Sequence, residues 1–238
     1  MLGIIGGNGV AATNKLNCLI ENYFTQSGFD RDCQHPEIIT WQATHVPSRS
    51  RYLEGLGESF IPGYVEIGRQ LKALGCQKLC MCCNTAHYAI DQLEEEIGLP
   101  FINLIKEVVK LALNSSAQRI GLIVTSGCLI GKVYDRYFNN NENFLIYPDP
   151  EFQKMVTKGI YGVKNTNRFL SVNAPDRPKY LFTQVCNHLV EKGADLIILG
   201  GTDISVDFTP EDYNRCKCLD SLQILAQAIC QNFEGGEI

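Results

Sequence analysis

The chain has 238 residues, 45% of them hydrophobic and 20% charged, with a net charge near -5 and a pI of about 5.4. That balance is globular rather than disordered, and without a cluster of Lys and Arg it excludes a protein held to nucleic acid through phosphates. No apolar run approaches the roughly eighteen residues that cross a bilayer, and "MLGIIGGNGV" lacks the basic and long apolar segments of a signal peptide. A cytoplasmic protein is therefore expected, without membrane or nucleic-acid partners, whose eleven cysteines are free thiols and mostly small buried hydrophobes.

Taken in chain order, short apolar runs alternate with amphipathic stretches. "LGIIGG" predicts a first strand, and the following "GGNGVAA" fits a G-x-G-x-x-A turn through Gly7, Gly9 and Ala12. The acidic residue that would confirm a dinucleotide site belongs at the end of the second strand. "EIITWQAT" has Glu37 at its start and Thr44 at its end, so no NAD is expected. What remains is a glycine turn at Gly7 and Asn8 whose backbone donors could cradle a carboxylate. "THVPSRSRY" then sets Arg49 and Arg51 in a loop, where a guanidinium can fork onto a carboxylate.

After the helical "GYVEIGRQLKALG" comes "LCMCCNTAHY". Its apolar part predicts a strand that stops near Cys83, leading into the helical "YAIDQLEEEIG". A thiol at a strand's carboxyl end can act as base or nucleophile, with Asn84, Thr85 and His87 following to orient a ligand. The competing reading packs Cys80, Cys82 and Cys83 into the core, with Asn84 or Thr85 as a helix cap. No metal is expected, because there is no C-x-x-C pair and alternate strand residues face opposite ways.

"RIGLIVTSG" and "DLIILGGTD" read as two more strands, separated by a segment with Lys164 in "YGVKN" and the helical "QVCNHLVEKGA". Gly121 follows Gly3, and Gly201 follows Cys83, by the same 118 residues. Alternating β and α elements predict parallel sheets covered on both faces. The repeated offset predicts two related lobes whose strand ends meet across a cleft, with Cys83 facing Gly201. "LDSLQILAQAICQNF" predicts a last helix.

With these segments in place, the chain resembles the aspartate/glutamate racemase family, whose members work without pyridoxal phosphate. "IGGNG", "VPSRS", "CCNTAH", "LIVTSGCLIGKVY", "VKN" and "LGGTDIS" are similar, in that order, to the family's opening turn, arginine loop, first cysteine motif, second-lobe turn, lysine segment and second catalytic motif. The resemblance implies an α/β fold of two pseudo-symmetric lobes, each a mainly parallel sheet flanked by helices, with the active site in the cleft. It implies lobes of 1–105 with 217–238, and of 106–216. It implies Cys83 as a catalytic thiol and Arg49 and Lys164 as holders of a distal carboxylate. Around the α-carboxylate it places Asn84, Thr85, Thr125 and Thr202, with Gly7, Asn8 and Gly201 completing the site. It also implies a dicarboxylic amino-acid or small carboxylate substrate, no cofactor, and a homodimer.

One departure matters. The family's second cysteine is replaced by Gly201 in "LGGTDIS", so the second face of the substrate falls to Thr202, to water, or to another thiol such as Cys128 or Cys218. The expected activity is cofactor-independent racemisation with Cys83 as the surviving thiol. The alternatives are a single-cysteine decarboxylase-like enzyme and an inactive relative that binds a small carboxylate.

Overall fold

A computed structural model describes residues 1–138 and 145–236. The chain runs through strand β1 (Leu2–Gly6), helix α1 (Val10–Gln26), β2 (Ile38–Gln42), α2 (Arg49–Leu53), α3 (Ile61–Ala73), β3 (Lys78–Met81), α4 (Ile90–Ile97), β4 (Phe101–Ile102) and α5 (Leu104–Leu113). It continues through β5 (Ile120–Ile123), α6 (Ser126–Ile130), β6 (Leu145–Ile146), α7 (Pro150–Val163), α8 (Pro178–Glu191), β7 (Leu196–Leu199), β8 (Lys217–Asp220) and α9 (Ser221–Glu234). Among the described residues no helix is long and apolar enough to cross a membrane.

Two four-stranded sheets result, ordered β2-β1-β3-β4 and β6-β5-β7-β8, and every pairing in them is parallel. The shared order is the expected internal symmetry. β1 starts at 2 and β5 at 120, while β3 starts at 78 and β7 at 196, so both central pairs differ by 118. Gly3 pairs with Ile39 and Leu79, and Gly121 holds the same place between Ile146 and Ile197.

The central strands β1, β5 and β7 are buried throughout, as strands covered on both faces must be. Their residues alternate between layers. Leu2, Ile4, Cys80 and Cys82 of the first sheet, and Ile120, Leu122, Leu196 and Ile198 of the second, share one core with α1, α5 and α9. On the outer face of the first sheet Ile5, Leu79 and Met81 pack beneath α3 and α4. Ile123, Ile197 and Leu199 do the same beneath α7 and α8. The lobes are thus joined through a common layer.

Local signals account for where these helices begin and end. Pro150 and Pro178 open α7 and α8, where a missing N–H costs nothing. Asn103 caps α5 by accepting from the Lys106 amide at 3.0 Å, and Asp220 caps α9 by accepting from Leu222 at 2.8 Å. Gly98 ends α4 at φ 70°, a left-handed conformation that glycine adopts without strain.

Two expectations need adjusting. β8 lies in the 217–238 stretch expected with the first lobe, yet it pairs with β7 of the second sheet; α9, which follows, packs on α1 and α5. The turn after Cys83 is a five-residue 3-10 segment, Thr85–Ala89, that precedes α4, and Asn84 before it has helical dihedrals and makes no side-chain cap bond.

Candidate active site

The carboxyl ends of the central strands converge on a cavity of about 160 Å³. That is well below the ~300–1,000 Å³ of pockets for drug-sized ligands, and suits a molecule of amino-acid size. Asn8 reaches it from the turn after β1, Arg49 from α2, and Cys83, Asn84 and Thr85 from the turn after β3. Thr125 arrives after β5, Lys164 from the end of α7, and Gly201 and Thr202 after β7. Of the candidates, Gly7 and Arg51 lie outside, in the groove at the mouth, and His87 lines neither. The Gly7 φ of 79° and the 2.4 Å from a built Cβ to the Ala43 nitrogen demand glycine there. Its amide donates to Thr13 Oγ1 at 2.9 Å, so Gly7 shapes the turn and has no donor left for a ligand.

Cys83 is 8% exposed and, among the described residues, is the cysteine that reaches the cavity. Cys80 and Cys82 point into the core between the sheets, where burial pushes both thiols up. Cys128 is buried in the same core and is likewise raised by burial, then by Cys83. Cys218 packs under α8. Neither of these last two lines the cavity, so neither serves as a second thiol there. Among the described residues no cluster of His, Cys, Asp or Glu is arranged to hold a metal.

His87 does not face a ligand. It is fully buried, and the Leu104 amide donates to its Nε2 at 3.2 Å, which leaves Nδ1–H to donate to the Cys83 carbonyl at 2.8 Å. Burial lowers its pKa to about 4, so the ring is a neutral clamp on the Cys83 backbone.

Arg49 supplies a permanent charge beside the sulfur. Burial works against its guanidinium, but Tyr64, Cys83 and Asp203 outweigh that and carry its pKa above the usual value. Three backbone carbonyls hold the head: Pro47 at 2.9 Å, Asn8 at 3.3 Å and Val46 at 3.4 Å. Nε is buried without a nitrogen or oxygen partner, and the Cys83 side chain is a further group that hydrogen-bonds the guanidinium. Asn8 is fixed in turn by its side-chain amide, which donates to the buried Tyr64 hydroxyl.

Hydroxyl and amide donors line the same cavity. Thr85 Oγ1 and Thr125 Oγ1 are 2.9 Å apart, and Thr125 Oγ1 accepts from the Cys128 amide at 3.1 Å. Two hydroxyls share one mutual hydrogen bond, so one hydroxyl proton remains for a ligand. Asn84 accepts from Tyr134 O–H at 2.6 Å and donates to Ser221 Oγ at 3.1 Å, leaving one amide proton over. The Thr85–Thr125 and Asn84–Tyr134 bonds cross between the two lobes. So does the Gly127 amide, which donates to Ser50 Oγ at 2.9 Å where α2 meets α6.

In the second lobe, Gly201 offers space in place of a side chain. Its φ is outside the left-handed region, and a built Cβ would lie 3.3 Å from Ile204 Cδ1. Thr202 donates its hydroxyl to the Cys82 carbonyl at 3.2 Å, so it faces a ligand with lone pairs and has no proton to spare. Asp203 comes next, 7% exposed, with Oδ2 3.0 Å from Lys164 Nζ and Oδ1 without a partner. Burial pushes its carboxyl up, while Lys164 and Arg49 pull it back.

The model of the Asp/Glu/Hydantoin racemase family matches residues 5–229, a span that includes every side chain of this cavity. The chain belongs to this family. Among racemase relatives, a glutamate racemase of Persephonella marina is 31% identical over 175 residues, covering 71% of this chain and 63% of that enzyme. The chain's match thus spans under two thirds of that relative's length. A broad specificity amino-acid racemase, RacX of Bacillus subtilis, is 21% identical over 208 residues, 86% of each chain. The Picrophilus torridus aspartate racemase structure superposes with a TM-score of 0.79 at 24% identity, covering 97% of this chain and 93% of that one. It shares the two-lobed fold.

Sequence reasoning missed Asp203, Glu54, Ser50 and Tyr64. Asp203 had a signal, since it follows Thr202 in the "LGGTDIS" motif. Glu54 had a weaker one, four residues after Ser50 at the C-cap of the same short helix, where Ser50 Oγ donates to it at 3.0 Å. Buried Tyr64, in the middle of α3, reads as ordinary core.

Proposed function

We propose that the chain is a racemase-like enzyme that moves the proton on the carbon next to an amino acid's carboxylate, with Cys83 as its acid-base group and no cofactor. The observation that carries the proposal is the thiol's position: enclosed at a strand end, with a permanently charged arginine beside it and two uncommitted donors in the same cavity. The free protons of the Thr85–Thr125 pair and of Asn84, with the Arg49 guanidinium, hold the carboxylate. As the Cα–H bond breaks, the proton passes to the Cys83 thiolate and its electron pair spreads into the carboxylate, where those donors bind more strongly than in the ground state. A thiol and a stabilised carbanion result.

Return of the proton from Cys83 restores the starting enantiomer. Delivery from the opposite face inverts it, and in this chain the opposite face has Gly201 where a second thiol would stand. Water in the space beside Gly201 is the proposed donor for that step. Gly201 also favours a second reading, in which Cys83 alone serves one face, as in a decarboxylase-like enzyme, and the space takes a larger substituent.

The test is incubation of single enantiomers of a panel of amino acids in heavy water, following Cα deuterium and optical purity together. Exchange with inversion supports racemisation. Exchange with full retention supports a single functioning base, and no exchange across the panel rejects racemisation, leaving the one-sided reading to carbon dioxide release from substituted malonates.

A further inference from the structure

The family resemblance gives Lys164 the task of holding a second, distal carboxylate on the substrate. In this chain that cation already has a carboxylate. Lys164 Nζ lies 3.0 Å from Asp203 Oδ2 and 3.5 Å from the Asn8 carbonyl. The Asp203 side chain is only 10% exposed, against 41% for Lys164, so the acid forms the deep half of the pair. The opening turn makes room for it, since a Cβ at Gly9 would come within 2.0 Å of Asp203 Oδ1. A side chain seated this way is part of the wall.

The charges around the cavity then balance. Among the described residues, Arg49 and Lys164 are its cations, and Glu54 and Asp203 its carboxylates. An amino acid with a neutral side chain is a zwitterion and leaves that sum unchanged. A dicarboxylate adds an uncompensated negative charge to an enclosed space of about 160 Å³, where low polarisability magnifies every charge, and a Cys83 thiolate would oppose it further. The wall next to Lys164 on the same helix is mixed: Thr157, Ile160 and Tyr161. It offers a hydroxyl and apolar surface to an uncharged side chain.

We propose that Asp203 acts as a resident carboxylate that occupies the distal-carboxylate subsite, so that the cavity selects amino acids with uncharged side chains over aspartate and glutamate. The proposal rests on the amino-acid reading of the site above, but not on its chemistry.

Isosteric pairs isolate the charge: glutamine against glutamate, and asparagine against aspartate, each measured by calorimetric titration of the full chain. The wild type is expected to bind the amide of each pair about tenfold or more tightly, the ratio that 1.4 kcal/mol produces. Asp203→Asn frees Lys164 and should swing the ratio toward the acids by tenfold or more. Lys164→Gln leaves Asp203 unpaired and should move it the other way, which keeps the test decisive if one variant fails to fold. Acids bound as tightly as amides by the wild type, ratios unmoved by the folded variants, or no binding by any of the four would each overturn the proposal. Amide selectivity without Cα exchange would leave it standing and reject the proposed chemistry instead.

Discussion

Replacing Gly201 with cysteine puts a thiol back at the position equivalent to Cys83. The backbone at 201 is outside the left-handed region, so a side chain brings no dihedral strain. The new Cβ meets Ile204 Cδ1 at 3.3 Å, Ile204 Cγ1 at 3.4 Å and Ile160 Cδ1 at 3.9 Å. Its tightest contact falls on the flexible end of a side chain, which sets the cost near the low end of overpacking, about 1 kcal/mol. For a chain of this size that is a fall of roughly 2–4 °C in Tm. A positioned acid or base contributes about 10²–10⁴ in rate, so inversion should rise at least ~100-fold relative to exchange with retention. Chiral chromatography after incubation in heavy water gives both quantities. Gly201→Ala is the control, since it adds the Cβ without the sulfur. A folded Gly201→Cys protein with unchanged inversion, or equal gains from alanine and cysteine, would refute the assignment of that position.

Two further outcomes concern the frame that holds the thiol. Because burial lowers the His87 pKa to about 4, below its ordinary ~6.5, the unfolded chain takes up a proton in that window and the folded one does not. The contribution is intact above about pH 6.5 and is lost as pH falls toward 4, for a total of about 3 kcal/mol. Urea unfolding at pH 7 and pH 4.5 should show that loss in the wild type and a smaller one in His87→Gln; equal losses would contradict it. Asn84→Ala strips partners from Tyr134 O–H and Ser221 Oγ, both buried, and should destabilise by about 2–3 kcal/mol. A change under about 0.5 kcal/mol in the same assay would show that these bonds do not matter.

The central strands were legible because parallel strands covered on both faces are continuous apolar runs, as "LGIIG" and "LIIL" are. The short strands at Phe101–Ile102, Leu145–Ile146 and Lys217–Asp220 were not, since two residues leave no pattern to read and "KCLD" is no continuous apolar run. That is also why the start of the last segment was expected in the wrong sheet. The constant offset of 118 carried real information, because it reports strand starts in two sheets of the same order.

Of the site, the strand-end residues were legible, and the partnerships that decide their roles were not. His87 looks like a ligand group in "CCNTAHY", until the Leu104 amide, seventeen residues on, takes its Nε2. Thr202 looks like a hydroxyl donor until the Cys82 carbonyl takes its proton. Lys164 looks like a free cation until Asp203 is found 3.0 Å away. Each outcome depends on a contact between elements far apart in sequence, which no local spacing encodes.

The most direct test of the account is Cα deuterium incorporation by Cys83→Ser, measured by NMR on an amino acid that the wild type exchanges. The sulfur lines the cavity at 8% exposure, so serine fills its space without disturbing the fold and removes only the acid-base group. A loss of at least ~100-fold in exchange with binding retained is the predicted result. Exchange that continues at the wild-type rate would mean that another group moves the proton.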